Sequence, residues 1–326
     1  MLFCLYIDDL LLALSKSGVG CFIGNNFVGA LAYADDIVLV APTASALRKL
    51  LSICGDYASE YCISFNATKS KCLIVLPKNS RATCSYFEEC RFSINNQPID
   101  NVESFKHLGH AISSQMKDAS DIINRRNGFV GQVNNLLCYF RKLTSCVKYR
   151  LFRSYCTTFY GCELWSLTTN KLQDLCTAWR KGIRSVWNLP QSTHCYLLPL
   201  ISNCLPVFDE ICRRSINFVR DCITHESVII KRIASYGIYY ARNESPLGQN
   251  MLFCADRYRA SLNSLIFSSS KIVSSYYDST VDEAQLHAAS FLSELIDIRD
   301  RQFKFSNNFI LSYTQLCDII TYISTC

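Results

Sequence analysis

Residues 30–40 constrain this chain more than any other stretch, because two adjacent carboxylates, Asp35 and Asp36, stand between two short apolar runs. Apolar, β-branched flanks of that length predict a pair of buried strands, which makes Ala34 to Asp36 the turn of a hairpin. Successive side chains on a strand face opposite ways, so a tight turn is needed to bring both carboxylates toward one pocket. Two carboxylates held together form a hard, anionic oxygen site suited to Mg²⁺ or Mn²⁺. An Asp-Asp pair also occurs in turns for local hydrogen-bonding reasons alone, so the neighbouring elements decide between the two readings.

Upstream, Gly18 to Gly20 ends a first helix, and residues 21–23 with 27–33 read as a strand pair around Gly24-Asn25-Asn26, residues that tolerate left-handed backbone. Downstream, Pro42-Thr43 offers an N-cap, and Leu47, Leu50, Leu51, Cys54 and Tyr57 recur at helical spacing. Residues 71–76 read as a strand ended by Pro77, with residues 92–94 and 105–112 as further short strands. The alternation predicts an α+β fold, an antiparallel sheet with helices on one face.

In this setting Tyr33-Ala34-Asp35-Asp36 resembles the polymerase signature of non-LTR retrotransposon reverse transcriptases, which has the form Tyr-Ala-Asp-Asp inside a hydrophobic hairpin. Three further stretches resemble the same family in the same order. Leu2-Phe3-Cys4-Leu5-Tyr6-Ile7-Asp8-Asp9-Leu10-Leu11 is similar to the helix after the family's Gln-Gly…Ser-Pro…Leu-Phe motif. Asn66-Ala67-Thr68-Lys69-Ser70-Lys71 is similar to its Asn-x-x-Lys motif, and Phe105-Lys106-His107-Leu108-Gly109 to its Tyr/Phe-Leu-Gly motif. Together they cover about the first third of the chain.

The resemblance implies a partial polymerase palm that binds Mg²⁺ or Mn²⁺ through Asp35, the stronger ligand, and Asp36, the ancillary one. It implies an RNA template, a DNA primer and deoxynucleoside triphosphates as partners of the intact parent. Lys69, or else Lys71, would stabilise charge at the triphosphate or donate a proton, a role suited to a positioned ammonium; the plain reading of either is a solvated strand-edge charge. Phe105, Leu108 and Gly109 would grip the primer end. The family's palm also has a third aspartate on a strand upstream of the Gln-Gly motif. The expectation is therefore that this chain opens inside the nucleotide-pocket motif, without fingers or first metal-ligand strand, and is inactive alone.

Periodicity turns helical near Asp118, with Val130, Val133, Leu136, Leu137 and Phe140 on one predicted face, and charge shifts with it. Residues 1–120 carry a net charge of −1, residues 121–232 carry +9, and the remainder −2. This divides the chain into a palm at 1–117, a basic helical region at 118–232 that the resemblance makes thumb-like, and a helical C-terminal region of unknown role at 233–326. In the central block Arg141, Lys142, Lys148, Arg150, Arg153, Arg180, Lys181 and Arg184 interleave with Tyr139, Phe140, Tyr149, Trp179 and Trp187. Such a mixture pairs phosphates while rings stack on bases. The aromatics are read as helical core and the cations as candidates for nucleic acid. The alternative to a polymerase fragment is thus a non-catalytic RNA- or DNA-binding remnant; a third reading is an unstable relic whose unpaired apolar edge aggregates.

With 326 residues, 49% of them hydrophobic, the chain can bury a sizeable core. No apolar run reaches the roughly 18 residues of a membrane helix, so no membrane is expected, and no signal peptide is legible. Nucleus or cytoplasm is expected from the family alone. The 19 cysteines are scattered and odd in number, which predicts reduced, mostly buried thiols with no disulfide partner. His194, Cys195, Cys204 and Cys212 match no standard zinc spacing.

Overall fold

The leucine-rich start forms helix α1 (Leu2–Lys16), which sets Ile7, Leu10 and Leu14 on one buried stripe because residues three, four and seven apart share a helix face. The computed structural model describes residues 2–75, 90–281 and 283–302. The chain forms two compact units, one of Met1–Lys117 with His225–Ile233, the other of Asp118–Thr224 and the chain from Ala234 onward.

In the first unit, β1 (Phe22–Ile23) pairs antiparallel with β2 (Asn26–Phe27), and β3 (Ala30–Tyr33) with β4 (Asp36–Leu39). The Phe27 ring lies over Gly20 and Gly29. A Cβ on Gly29 would stand 2.6 Å from that ring, so the close approach requires glycine. Helix α2 (Ala44–Glu60) starts as expected at Thr43, whose hydroxyl accepts from the Ala46 amide at 3.2 Å. It buries Leu50, Leu51, Cys54 and Tyr57 among the side chains of α1, and the Tyr57 hydroxyl donates to the Tyr6 carbonyl. β5 (Lys71–Leu73), β6 (Phe92–Ile94) and β7 (Gln97–Val102) form a three-stranded sheet, and β8 (Ser104–His107) and β9 (His110–Ser113) a hairpin.

The single antiparallel sheet expected from sequence is therefore four small sheets among the described residues, and β5 runs parallel to β7. The expectation for residues 105–112 also changes, from one strand to two. Leu108 (φ 46°) and Gly109 (φ 83°) both turn left-handed, which reverses the chain as a primed turn does. The expected strand end at Pro77 lies outside the described residues.

The second unit is helical: α3 (Ala119–Tyr139), α4 (Ser145–Leu151) continued by a π turn (Phe152–Cys156), α5 (Lys171–Trp187), α6 (Leu197–Ile201) and α7 (Val207–Thr224). α8 (Val228–Ser235) carries the chain between the units. It is followed by a π turn (Tyr236–Tyr240), α9 (Pro246–Arg257), α10 (Leu262–Thr280) and α11 (Glu283–Gln302). The buried face of α3 holds Ile122, Phe129, Val133 and Leu136, so of the expected set Val133 and Leu136 are buried and Leu137 packs against the core. Val130, three residues before Val133 but next to the buried Phe129, falls off that face, and Phe140 is the C-cap beyond the last helical turn; both are exposed. The serine-rich stretch at 268–270 sits inside α10, where Ser269 is buried and its hydroxyl donates to Asn217 at 2.6 Å. A serine that satisfies itself this way passes as core, which masks the helical period.

Trp165 is fully buried at the centre of this unit. Its indole N–H donates to Asp121 at 2.8 Å, its carbonyl accepts from Asn250 Nδ2 at 2.8 Å, and the Leu167 amide donates to Asn250 Oδ1 at 3.0 Å. The Ser166 amide completes the loop by donating to Asp118 at 2.8 Å. A buried polar backbone is tolerated only when its groups are paired in this way.

Candidate carboxylate site

Asp35 and Asp36 stand at the apex of the β3–β4 hairpin, joined by the two-residue turn Ala34-Asp35. Tyr33 pairs directly with Asp36, so those two side chains share one face of the ribbon. Ala34 takes φ 52°, a left-handed conformation that costs a residue with a Cβ about 1–2 kcal/mol. An alanine held there is a strained joint. Such outliers persist where the surroundings enforce them and cluster at functional sites.

The flanking strands are not buried, contrary to the sequence expectation. Leu31 is 53% and Tyr33 66% exposed, and both carboxylates are exposed. The physical reason is that β3 and β4 make a two-stranded sheet, with α1 packed against β3 and no further strand bonded to either among the described residues. The apolar run thus covers one face only.

Neither the Asp35 nor the Asp36 carboxylate has a hydrogen-bond or ion-pair partner among the described residues. Hard oxygen donors with unshared lone pairs suit a divalent cation in type. In number they fall short, because among the described residues no group of three His, Cys, Asp or Glu side chains gathers where a metal ion could sit. The donor set is one side of a cage, and no reaction step can be built on it alone.

Asn66-x-x-Lys69 acquires a physical explanation. The Asn66 side-chain oxygen accepts from the Lys69 amide at 3.1 Å and from the Thr68 hydroxyl at 2.8 Å, while Ser70 bonds the Asn66 carbonyl through both its amide and its hydroxyl. This Asx turn fixes the backbone at Lys69 and leaves the ammonium in solvent. Lys71 is instead drawn into an ion pair with Asp100 at 2.6 Å across the parallel β5–β7 pair. Of the two lysines considered, Lys69 is the one free to meet a ligand. Phe105, half-buried on β8, and Leu108-Gly109 at the adjoining turn form one hairpin, and β8 neighbours β5.

In the basic block Arg141, Lys142, Arg150, Arg153 and Lys181 are exposed, and Lys148 and Arg180 half-buried. Arg180 donates to the Thr177 hydroxyl at 3.0 Å. Arg184 must be withdrawn as a nucleic-acid contact. It is buried, and its guanidinium donates twice to the Thr193 carbonyl, at 3.2 and 2.7 Å, where it closes a loop. Trp179 and Trp187 are core, as read from sequence, with the Trp187 indole N–H on Ser202 at 3.0 Å. Tyr139 and Phe140 are not, being 80% and 43% exposed beside Arg141-Lys142.

The cysteines of the described residues are free thiols, and burial lifts several well above the ordinary range, Cys54 and Cys162 to about 12 and Cys156 and Cys176 to about 11. Cys62, Cys138 and Cys195 are exposed. Among the described residues no helix is long and apolar enough to cross a membrane.

Sequence reasoning missed the acids that organise the second unit. Asp209 accepts from the Arg257 guanidinium at 3.0 and 2.9 Å and from the Tyr258 hydroxyl at 2.8 Å. Glu210 accepts from both Arg213 and Arg214. The Glu210/Arg213/Arg214 spacing on one helix was a legible signal; the Asp209 contacts, 48 and 49 positions away, were not.

No known family profile matches the chain. It is 34% identical over 113 residues to the retrovirus-related Pol polyprotein from the type-2 retrotransposable element R2DM of Drosophila melanogaster. That stretch is 33% of this chain and 10% of the polyprotein, so the chain spans about a tenth of the relative's length. The match supports a retrotransposon-related origin for this protein.

Proposed function

We propose that the chain is part of an RNA-directed DNA polymerase of a non-LTR retrotransposon, with Asp35 and Asp36 as metal ligands of its nucleotidyl-transfer centre. The observation that carries this reading is a Tyr-Ala-Asp-Asp sequence placed at a strained two-residue hairpin turn, with both carboxylates exposed and unpartnered among the described residues. The similarity to a retrotransposon Pol polyprotein supports it. Bound Mg²⁺ or Mn²⁺ would activate the primer hydroxyl and steady the leaving pyrophosphate. The protein's own part is to hold the two carboxylates at the apex and to present the Lys69 ammonium, through its Asx turn, to a triphosphate's developing charge.

Since two carboxylates do not complete the cage, the chain alone is expected to bind Mn²⁺ weakly and not to extend a primer. Completed with the fingers and remaining carboxylate strand of a polymerase of this type, it should extend a DNA primer on an RNA template, and Asp35→Asn should lower that rate by on the order of a hundredfold or more. Extension indifferent to Asp35→Asn would sink the proposal.

A second reading, nucleic-acid binding without catalysis, is favoured by the exposed Arg141 and Lys142 next to the exposed Tyr139 and Phe140, with Arg150 and Lys181 exposed as well. Binding through these cations should weaken steeply with salt, by roughly 0.9 log units per tenfold salt for each phosphate neutralised on duplex DNA. Affinity that ignores ionic strength would count against it.

A further inference from the structure

Two cysteines face each other inside the second unit, Cys212 on α7 and Cys254 on α9, both fully buried in the same core cluster. The polar pairs between those helices fix their register. Asp209 on α7 accepts from Arg257, the last residue of α9, at 3.0 and 2.9 Å, and from Tyr258 just beyond it at 2.8 Å. Three residues on along α7 stands Cys212, and three residues back along α9 stands Cys254. Residues three apart share a helix face, so an antiparallel pairing that joins Asp209 to Arg257 brings the two thiols opposite each other in the next layer. The Cys254 thiol is hydrogen-bonded to Cys212, as that register requires.

Paired thiols have a chemistry that a lone buried thiol lacks, because a two-electron oxidation joins them. The S–S bond is about 2.05 Å long, so the hydrogen-bonded sulfurs must close in, which rotation about each Cα–Cβ bond allows. In the folded state the pair is held back. The hydrogen bond to Cys212, and burial after it, raise the Cys254 pKa, so that residue waits as a thiol. Exchange needs a thiolate and access to it, and both come only when α9 opens locally. Cys176 on α5 lies close enough to feel the charge of Cys212 and is the competing partner.

We infer that Cys212 and Cys254 are a buried redox latch, which a small-molecule disulfide converts into an internal disulfide that ties α9 to α7. One cysteine thiolate attacks the small disulfide, forming a mixed disulfide and releasing one thiolate. The other cysteine then attacks the protein sulfur of that mixed disulfide and expels the second. Two protein thiols become one disulfide, while the oxidant takes up two electrons and two protons and becomes two thiols. What the latch fastens is the helix at the centre of the unit. Asn250, one turn before Cys254 on α9, holds the Trp165 carbonyl at 2.8 Å and the Leu167 amide at 3.0 Å. The bridge closes a loop of about forty residues and so restricts the unfolded chain.

The native full chain, incubated with glutathione disulfide, capped with iodoacetamide and digested, should yield one peptide pair joined through Cys212 and Cys254, two hydrogens lighter than its parts. The unfolding midpoint should rise by about 5–10 °C and fall back after reduction by a dithiol. Cys62, Cys138 and Cys195 are exposed and should gain only mixed disulfides, so replacing all three by serine should leave the bridge and the shift intact. Cys254→Ala should lose both; if that variant does not fold, the peptide map of the unaltered chain still decides. Asp35→Asn should change neither, so failure of the hairpin proposal does not touch this one. A bridge from Cys176 to Cys212, glutathione adducts with no internal bridge, or a shift that persists in Cys254→Ala would overturn the inference.

Discussion

The acids of the two units are held by opposite means. In the first, Asp35 and Asp36 sit exposed at a hairpin apex, without partners among the described residues, on a turn whose alanine is forced left-handed. In the second, Asp121 and Asp209 are buried and each accepts hydrogen bonds from groups distant in sequence, while Glu210 anchors two arginines. A carboxylate without a partner adds little to folding and stays available to a cation. One that is buried and fully paired is part of the scaffold, because removing its partner strands a charge in low dielectric. Composition does not distinguish these acids; their partners do.

The comparison is most exposed at Trp165. Trp165→Ala should destabilise the second unit by about 3–5 kcal/mol, through the lost volume and the indole donor taken from Asp121. Denaturant unfolding followed by far-ultraviolet circular dichroism measures this; a loss below about 1 kcal/mol would mean that the buried acids are not scaffold. Glu210→Gln should cost less, roughly 1–3 kcal/mol at neutral pH. Its folded carboxyl lies below the ordinary 4.5, so its contribution is present above that value and lost as pH falls through the folded pKa. The gap between wild type and Glu210→Gln should accordingly close on acidification below about 4.5, and a gap that widens there would contradict the pairing.

What was legible in the sequence follows the same division. The Thr43 cap, the turns of α2 and the Asn66 turn each depend on residues within four positions of one another, and the hairpin on pairs no more than nine apart, so their physics is written locally. The second unit depends on pairings across 44 positions for Trp165 and Asp121 and 83 for Leu167 and Asn250. No period or propensity encodes these. Arg184 shows the consequence: in sequence it is one more cation of a basic run, and only the Thr193 carbonyl nine residues on reveals it as a loop closure. The exposure of Leu31 and Tyr33 was hidden for a related reason. An apolar strand reads the same whether or not another strand covers it.

Smaller effects sharpen the comparison at the apex. Ala34→Gly should raise stability by about 1 kcal/mol, since glycine adopts φ near 52° without the Cβ clash. If the strain serves to aim the carboxylates, the same variant should bind Mn²⁺ less well despite folding better; improved folding with unchanged Mn²⁺ affinity would make the turn an accident of sequence.

Asp35→Asn should move stability least of all, within about 0.5 kcal/mol, because the side chain is exposed and has no partner to lose among the described residues. The change also removes repulsion between neighbouring carboxylates, which favours the fold slightly. Mn²⁺ binding, read from the paramagnetic broadening of resonances near the hairpin, should nevertheless fall to background. That pairing of a silent fold with a lost ligand is the signature of a residue kept for chemistry. A destabilisation comparable to Glu210→Gln would instead place Asp35 among the structural acids, and the division between the two units' carboxylates would fail at the residue on which it most depends.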